Sequence, residues 1–110
     1  MKVTWKVLDE RLLELVDLEE EIEEIVPKMH LTEGALWDYG KNRLLFNDIP
    51  VSNTMYWTKG GESGVLFHNG KKANGQCFDL EGRLVVCEHA TSFLSRCHTD
   101  GLEYEVLAKK

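Results

Sequence analysis

The sequence predicts an all-β fold of two consecutive four-stranded antiparallel sheets of the propeller-blade kind, preceded by an N-terminal segment of different character. Three observations predict it. The chain repeats itself at a spacing of 40 to 41 residues. Each repeat holds four short apolar segments separated by turn residues, and helical patterning is confined to the first 30 residues.

In chain order, Asp9 to Val16 carries Leu12, Leu13, Leu15 and Val16 at spacings that suit a short helix. The run Glu21 to Val26 then ends at Pro27. Ile25-Val26 lies 40 residues before Val65-Leu66, so by the repeat it is an outermost edge strand that closes a ring. The first three strands of its blade are not encoded ahead of it. Residues 1–30 are therefore read as an N-terminal segment with a short helix and a ring-closing strand, and 31–110 as two blades.

The first blade spans about 33–68, with strands at 33–37, 43–49, 54–58 and 63–68; the second spans about 74–107, with strands at 74–79, 83–88, 93–98 and 103–107. Gly34-Ala35-Leu36-Trp37-Asp38 returns as Gly75-Gln76-Cys77-Phe78-Asp79 at a shift of 41, and Arg43-Leu44-Leu45-Phe46-Asn47-Asp48 returns as Arg83-Leu84-Val85-Val86-Cys87-Glu88 at a shift of 40. The one-residue difference falls in a turn. Asp38 to Asn42, Lys59-Gly60-Gly61, Asn69-Gly70, Leu80-Glu81-Gly82 and Asp100-Gly101 supply residues that tolerate positive φ. A ring closes with four to eight blades, so the rest of the propeller is expected to be absent from this chain.

Composition narrows the function. The 110 residues carry a net charge of −6, all of it in residues 1–26, where nine acids face three bases. That leaves no basic footprint for nucleic acid. No apolar run is long enough to span a membrane or to serve as a secretory leader, so a cytoplasmic location is expected. Cys77, Cys87 and Cys97 are odd in number and lack metal-knuckle spacing, and read as small core residues in a reducing compartment.

Several segments together resemble the senescence marker protein and gluconolactonase family, which includes luciferin-regenerating enzymes. They are Trp5 to Asp9, Leu31 to Asp38, Leu44 to Pro50, Ala73-Asn74-Gly75 and Phe78 to His89, in family order, and the bacterial gluconolactonase-like branch is the nearest likeness. The resemblance implies the amino-terminal third of a six-bladed β-propeller. It also implies a divalent metal ion at the mouth of the central channel, calcium or zinc, with manganese or magnesium as alternatives. Glu33 in Leu31-Thr32-Glu33-Gly34 occupies the family's metal-ligand position. The Asn and Asp ligands of later blades and the carboxylate base are not in the sequence, so no catalytic residue is identified.

With Glu33 placed, the repeat places others. Asn74 is its equivalent in the second blade and is expected to line the substrate mouth. His89 follows the end of a second strand on the same face and is a second substrate-contact candidate. Asp48 and Glu88 are read as turn caps at such ends, and His30, His68 and His98 as structural residues. The function that follows is metal-dependent hydrolysis of a small sugar lactone to a hydroxy acid, with the 110-residue chain alone inactive. The alternative is a non-catalytic propeller fragment, or a blade module without activity of its own that self-associates through exposed blade faces.

Overall fold

The computed structural model of the chain describes residues 1–110. Eight strands form two separate sheets: β1 (Thr32–Asp38), β2 (Arg43–Asp48), β3 (Asn53–Thr58) and β4 (Ser63–His68) in one, and β5 (Ala73–Phe78), β6 (Leu84–Glu88), β7 (Leu94–Cys97) and β8 (Glu105–Ala108) in the other. Each is an antiparallel meander in sequence order. Both sheets match the sequence reading, and the strand limits fall within one residue of it except the start of β8, expected at 103 and found at Glu105, because alternating apolar residues between Gly, Asn and Asp turns leave little other choice.

The first hairpin of each blade is closed by the same device. Arg43 Nε donates to Asp38 Oδ2 at 2.9 Å, and Arg83 Nε donates to Asp79 Oδ2 at 2.8 Å. Asp and Arg are separated by four residues in the first blade and three in the second, which is where the repeat shift changes from 41 to 40.

Each blade has one face directed at the next blade and one directed back. Along β2, Leu45 and Asn47 point forward and are fully buried. Against them lie Ala73, Leu84, Val86 and Cys97 from the back face of the second blade, and Leu36, Tyr56, Leu66, Phe67 and Phe78 pack at the margin of this cluster. The hydrophobic core therefore lies between the blades, with the inner strands β1 and β5 adjacent.

The N-terminal segment departs from expectation. Its helix exists as five residues of 3-10 helix, Glu10–Glu14, capped by the Asp9 carboxylate accepting from the Arg11 amide. The expected ring-closing strand over 21–26 does not form. A strand needs a hydrogen-bonded neighbour, and this stretch finds only Met1, whose carbonyl accepts from the Ile22 amide at 3.0 Å. Ile25, Val26 and Met29 instead lie across the back of the first blade beside Leu44 and Phe46, bordering a groove of about 310 Å³. The chain has a radius of gyration of 15.9 Å, above the about 13 Å of a compact domain this long. No helix is long and apolar enough to cross a membrane.

The cysteines divide by face. All three are free; Cys97 is buried between the blades, whereas Cys77 and Cys87 are exposed on the forward face of the second. The expectation of three core cysteines fails for these two, because no further sheet covers that face.

Candidate functional site

The upper ends of β1, β2 and β5 meet at a rim, and a bulge sits at the same place in both inner strands, between Glu33 and Leu36 and between Ala73 and Gln76. Bulges of this kind bend a strand and re-aim its side chains. Gly34 is at the centre of the first one, with φ of 69°. A Cβ there would lie 2.2 Å from the backbone oxygen of Asn74. Only glycine satisfies both the left-handed backbone and that approach.

Two carboxamides clasp the junction in opposite directions. Asn47 Nδ2 of the first blade donates to the Asn74 carbonyl at 2.8 Å, and Gln76 Nε2 of the second donates to the Gly34 carbonyl at 2.9 Å. Asn47 is itself oriented, since its Oδ1 accepts from Thr54 Oγ1 at 2.8 Å in a fully buried contact. Asn69 Nδ2 donates to the same hydroxyl oxygen at 3.2 Å, while Asn69 Oδ1 accepts from the amides of Lys71 and Ala73 in the connection between blades.

Two of the residues expected from the sequence come together. Glu33 precedes the glycine that touches Asn74, so the two repeat-equivalent positions lie side by side at the rim. The Glu33 side chain is exposed and borders the groove behind the first blade. Asn74 is half-buried, and its backbone carbonyl, not its side chain, is engaged by Asn47. His89 lies just past the end of β6, exposed, with its amide donating to the Lys72 carbonyl at 3.0 Å. It stands within two residues of Asn74 along the chain it touches. None of the three side chains has a hydrogen bond or ion pair within the molecule.

The neighbouring acids are committed elsewhere. Asp48 accepts from the amides of His30 and Leu31 and lies 2.9 Å from His30 Nδ1. Burial pushes its carboxyl up, but the His30 ring and the two amides outweigh that and hold it below the ordinary value. Glu88 accepts from Thr91 Oγ1 and from the Tyr104 hydroxyl, each at 2.6 Å. There too burial is outweighed, by Ser95, Thr91, Tyr104 and the Lys71 charge, and the carboxyl is held low. Tyr104, partly exposed with its hydroxyl against that carboxylate, is pushed up to about 12, first by partial desolvation and then by the Glu88 hydrogen bond and charge. Both acids are caps, as their strand-end positions predict.

Sequence reasoning missed Asn47. A carboxamide in an otherwise apolar strand reads as a solvent position, and its burial is decided by the facing blade. The available signal was its pairing with Thr54, seven residues on, in an apolar hairpin.

A divalent cation finds an incomplete donor set here. No group of three or more His, Cys, Asp or Glu side chains is arranged to hold a metal ion. One exposed carboxylate is too few oxygens for calcium, which takes six to eight.

With this geometry in hand, two solved structures are informative. A gluconolactonase from Xanthomonas campestris, described as important in glucose secondary metabolic pathways, superposes with a TM-score of 0.71 at 26% identity, over 78% of this chain and 29% of the other. A protein provisionally assigned as a gluconolactonase, solved by a structural genomics consortium, superposes with a TM-score of 0.79 at 25% identity, over 96% of this chain and 36% of the other. The chain is gluconolactonase-like in structure. It spans about a third of the length of these two proteins. No protein-family model matches the sequence, and neither does any curated protein.

Proposed function

We propose that the chain is the N-terminal portion of a metal-dependent lactonase-like hydrolase, which opens a small sugar lactone to its hydroxy acid. The observation that carries this reading is the gluconolactonase-like fold combined with what it does to three side chains. Glu33, Asn74 and His89 lie toward one rim with their side-chain polar atoms uncommitted, while around them Asp48 and Asn47 are used up in holding the backbone and Glu88 in binding the Thr91 and Tyr104 hydroxyls.

Further blades would supply the remaining metal ligands and the base. A cation held there by Glu33 together with ligands from those blades, calcium or zinc, would supply Lewis-acid polarisation of a lactone carbonyl. This chain's own contribution is to bind and orient. The Glu33 carboxylate would provide one charged oxygen ligand. The Asn74 carboxamide offers a donor and an acceptor to sugar hydroxyls, and the exposed His89 ring can bond a substrate oxygen. A cytoplasmic location accords with three free thiols.

The test is lactone opening, followed by proton release, with calcium, zinc and manganese titrated in turn. The chain alone is expected to show no rate above spontaneous hydrolysis. Supplying the remaining blades of a gluconolactonase is expected to restore turnover, and Glu33→Gln to lower metal affinity at least tenfold. Metal-independent turnover, or unchanged affinity in Glu33→Gln, would overturn the assignment.

The forward face of the second blade favours a second reading, a self-associating module without activity of its own. Cys87 and Leu94 are exposed there, where their equivalents in the first blade are covered. Sedimentation equilibrium decides: a 12.6 kDa species at all concentrations rules this reading out.

A further inference from the structure

We infer that Asn47, oriented by Thr54, is a positioning residue that sets the register between the two inner strands and so fixes where Glu33 and Asn74 stand relative to one another. The inference deepens the lactonase reading in one respect only: that the positioned residues serve a substrate rests on that reading. The positioning itself does not.

A continuous relay runs around the junction. Asn69 holds the connection between the blades through the Lys71 and Ala73 amides and donates to Thr54 Oγ1; Thr54 donates to Asn47 Oδ1; Asn47 Nδ2 donates to the Asn74 carbonyl. The chemistry leaves one orientation of each group. A backbone carbonyl can only accept, so the atom facing it is Nδ2, and Oδ1 must then accept from the Thr54 hydroxyl. Because Asn47 and Thr54 are buried, at 0% and 1% exposure, no water substitutes for a lost partner.

The position of the contact gives it leverage. Asn74 sits at the bulge of β5 and touches Gly34 at the bulge of β1, so a carboxamide that holds the Asn74 carbonyl also holds the residue after Glu33. Strand-to-strand hydrogen bonds cannot do this, because the two inner strands belong to different sheets. The reciprocal Gln76 clasp binds the Gly34 carbonyl from the other side, but its Oε1 is buried without a partner, so nothing fixes that carboxamide from behind. Asn47 alone is anchored at both ends. In the second blade the equivalent positions are Cys87 and Leu94, opposite each other in the ladder, and neither could make such a clasp.

The decisive comparison is Thr54→Val against Thr54→Ser in the 110-residue chain. Valine keeps the shape and removes the donor, whereas serine restores the hydroxyl. By NMR, Thr54→Val should shift the Asn74 carbonyl carbon and the Gly75 amide and speed exchange of the Asn47 side-chain protons about tenfold, while Arg83 and Asp79 resonances stay in place. Thr54→Ser should return all of them to the native positions. Asn47→Leu should reproduce the valine changes at Asn74. Should Asn47→Leu not fold, the Thr54 pair decides alone: native Asn74 and Gly75 signals in Thr54→Val would overturn the inference, as would equal effects of Val and Ser.

With the remaining blades supplied, Thr54→Val should raise KM for gluconolactone about tenfold and leave kcat within about twofold, since it displaces a binding group and not a reacting one. Absence of turnover in the unaltered protein would count against the lactonase reading and leave the NMR outcome standing.

Discussion

The two blades are copies of one pattern with different neighbours, and their differences show which features belong to the repeat and which to its surroundings. The Asp–Arg clamp at the base of the first hairpin is present in both, since it is local to each hairpin. The features at the rim differ. Gly34 has φ of 69° and stands against Asn74, while its equivalent, Gly75, has open space around it. Gly101, in the last turn of the second blade, has the Phe67 ring where a Cβ would go, while its equivalent, Gly61, has nothing near it. Blade-to-blade contact, and not the repeat, decides the role of each residue.

The largest expected effect breaks that symmetry at one glycine. Gly34→Ala forces a Cβ against a backbone oxygen at positive φ and is predicted to cost about 3 kcal/mol or more, enough to prevent folding of a marginal chain. Gly75→Ala, at the equivalent position, is predicted to cost under about 1 kcal/mol. Urea denaturation followed by tryptophan fluorescence checks both, and equal costs would mean that the blades do not meet at the rim.

A second pair probes the core. Leu45 is fully buried against the second blade, whereas Val85, its equivalent, is half-buried on the open forward face. Truncating Leu45 to Ala should cost about 3 kcal/mol, and Val85→Ala about 1 kcal/mol or less.

This asymmetry also explains what was legible in the sequence. Strands, turns and the 40-residue register are local, so alternating apolar residues and glycine-rich turns declare them. The register makes Glu33 and Asn74 equivalent positions, and contact between the blades sets the Asn74 carbonyl against Gly34. The ring-closing strand expected at 21–26 does not form here because pairing needs a neighbour that the segment does not have. Exposure of Cys77 and Cys87 has the same cause, since their pattern is that of a covered face whose covering sheet is missing. Asn47 escaped notice because a buried carboxamide is recognisable only once the opposing carbonyl is in place.

A smaller effect separates the two caps. Tyr104→Phe removes a donor from buried Glu88 and should cost about 1–2 kcal/mol at pH 7. His30→Ala should cost under about 1 kcal/mol, because His30 is 59% exposed and two backbone amides still hold Asp48. Both carboxyls are held low in the folded chain, so the stability they contribute is present above the ordinary carboxylate range and is lost as pH falls below about 4. The cost of Tyr104→Phe should therefore shrink on acidification, as read by denaturation at pH 7 and at pH 3. At the alkaline end the sign reverses. Tyr104 is pushed up to about 12, so its contribution is present below pH 10 and is lost as pH rises toward 12.

The most direct test of two blades facing one way is the reactivity of the three thiols, mapped by mass spectrometry after timed alkylation of the native chain. Cys77 and Cys87 lie on the open forward face, while Cys97 is enclosed between the blades with its thiol pushed up by burial and by Asp100 and Glu88. The predicted result is two sites modified together and rapidly, with Cys97 at least a hundredfold slower. Rapid modification of Cys97, or protection of Cys87 alongside it, would contradict the arrangement.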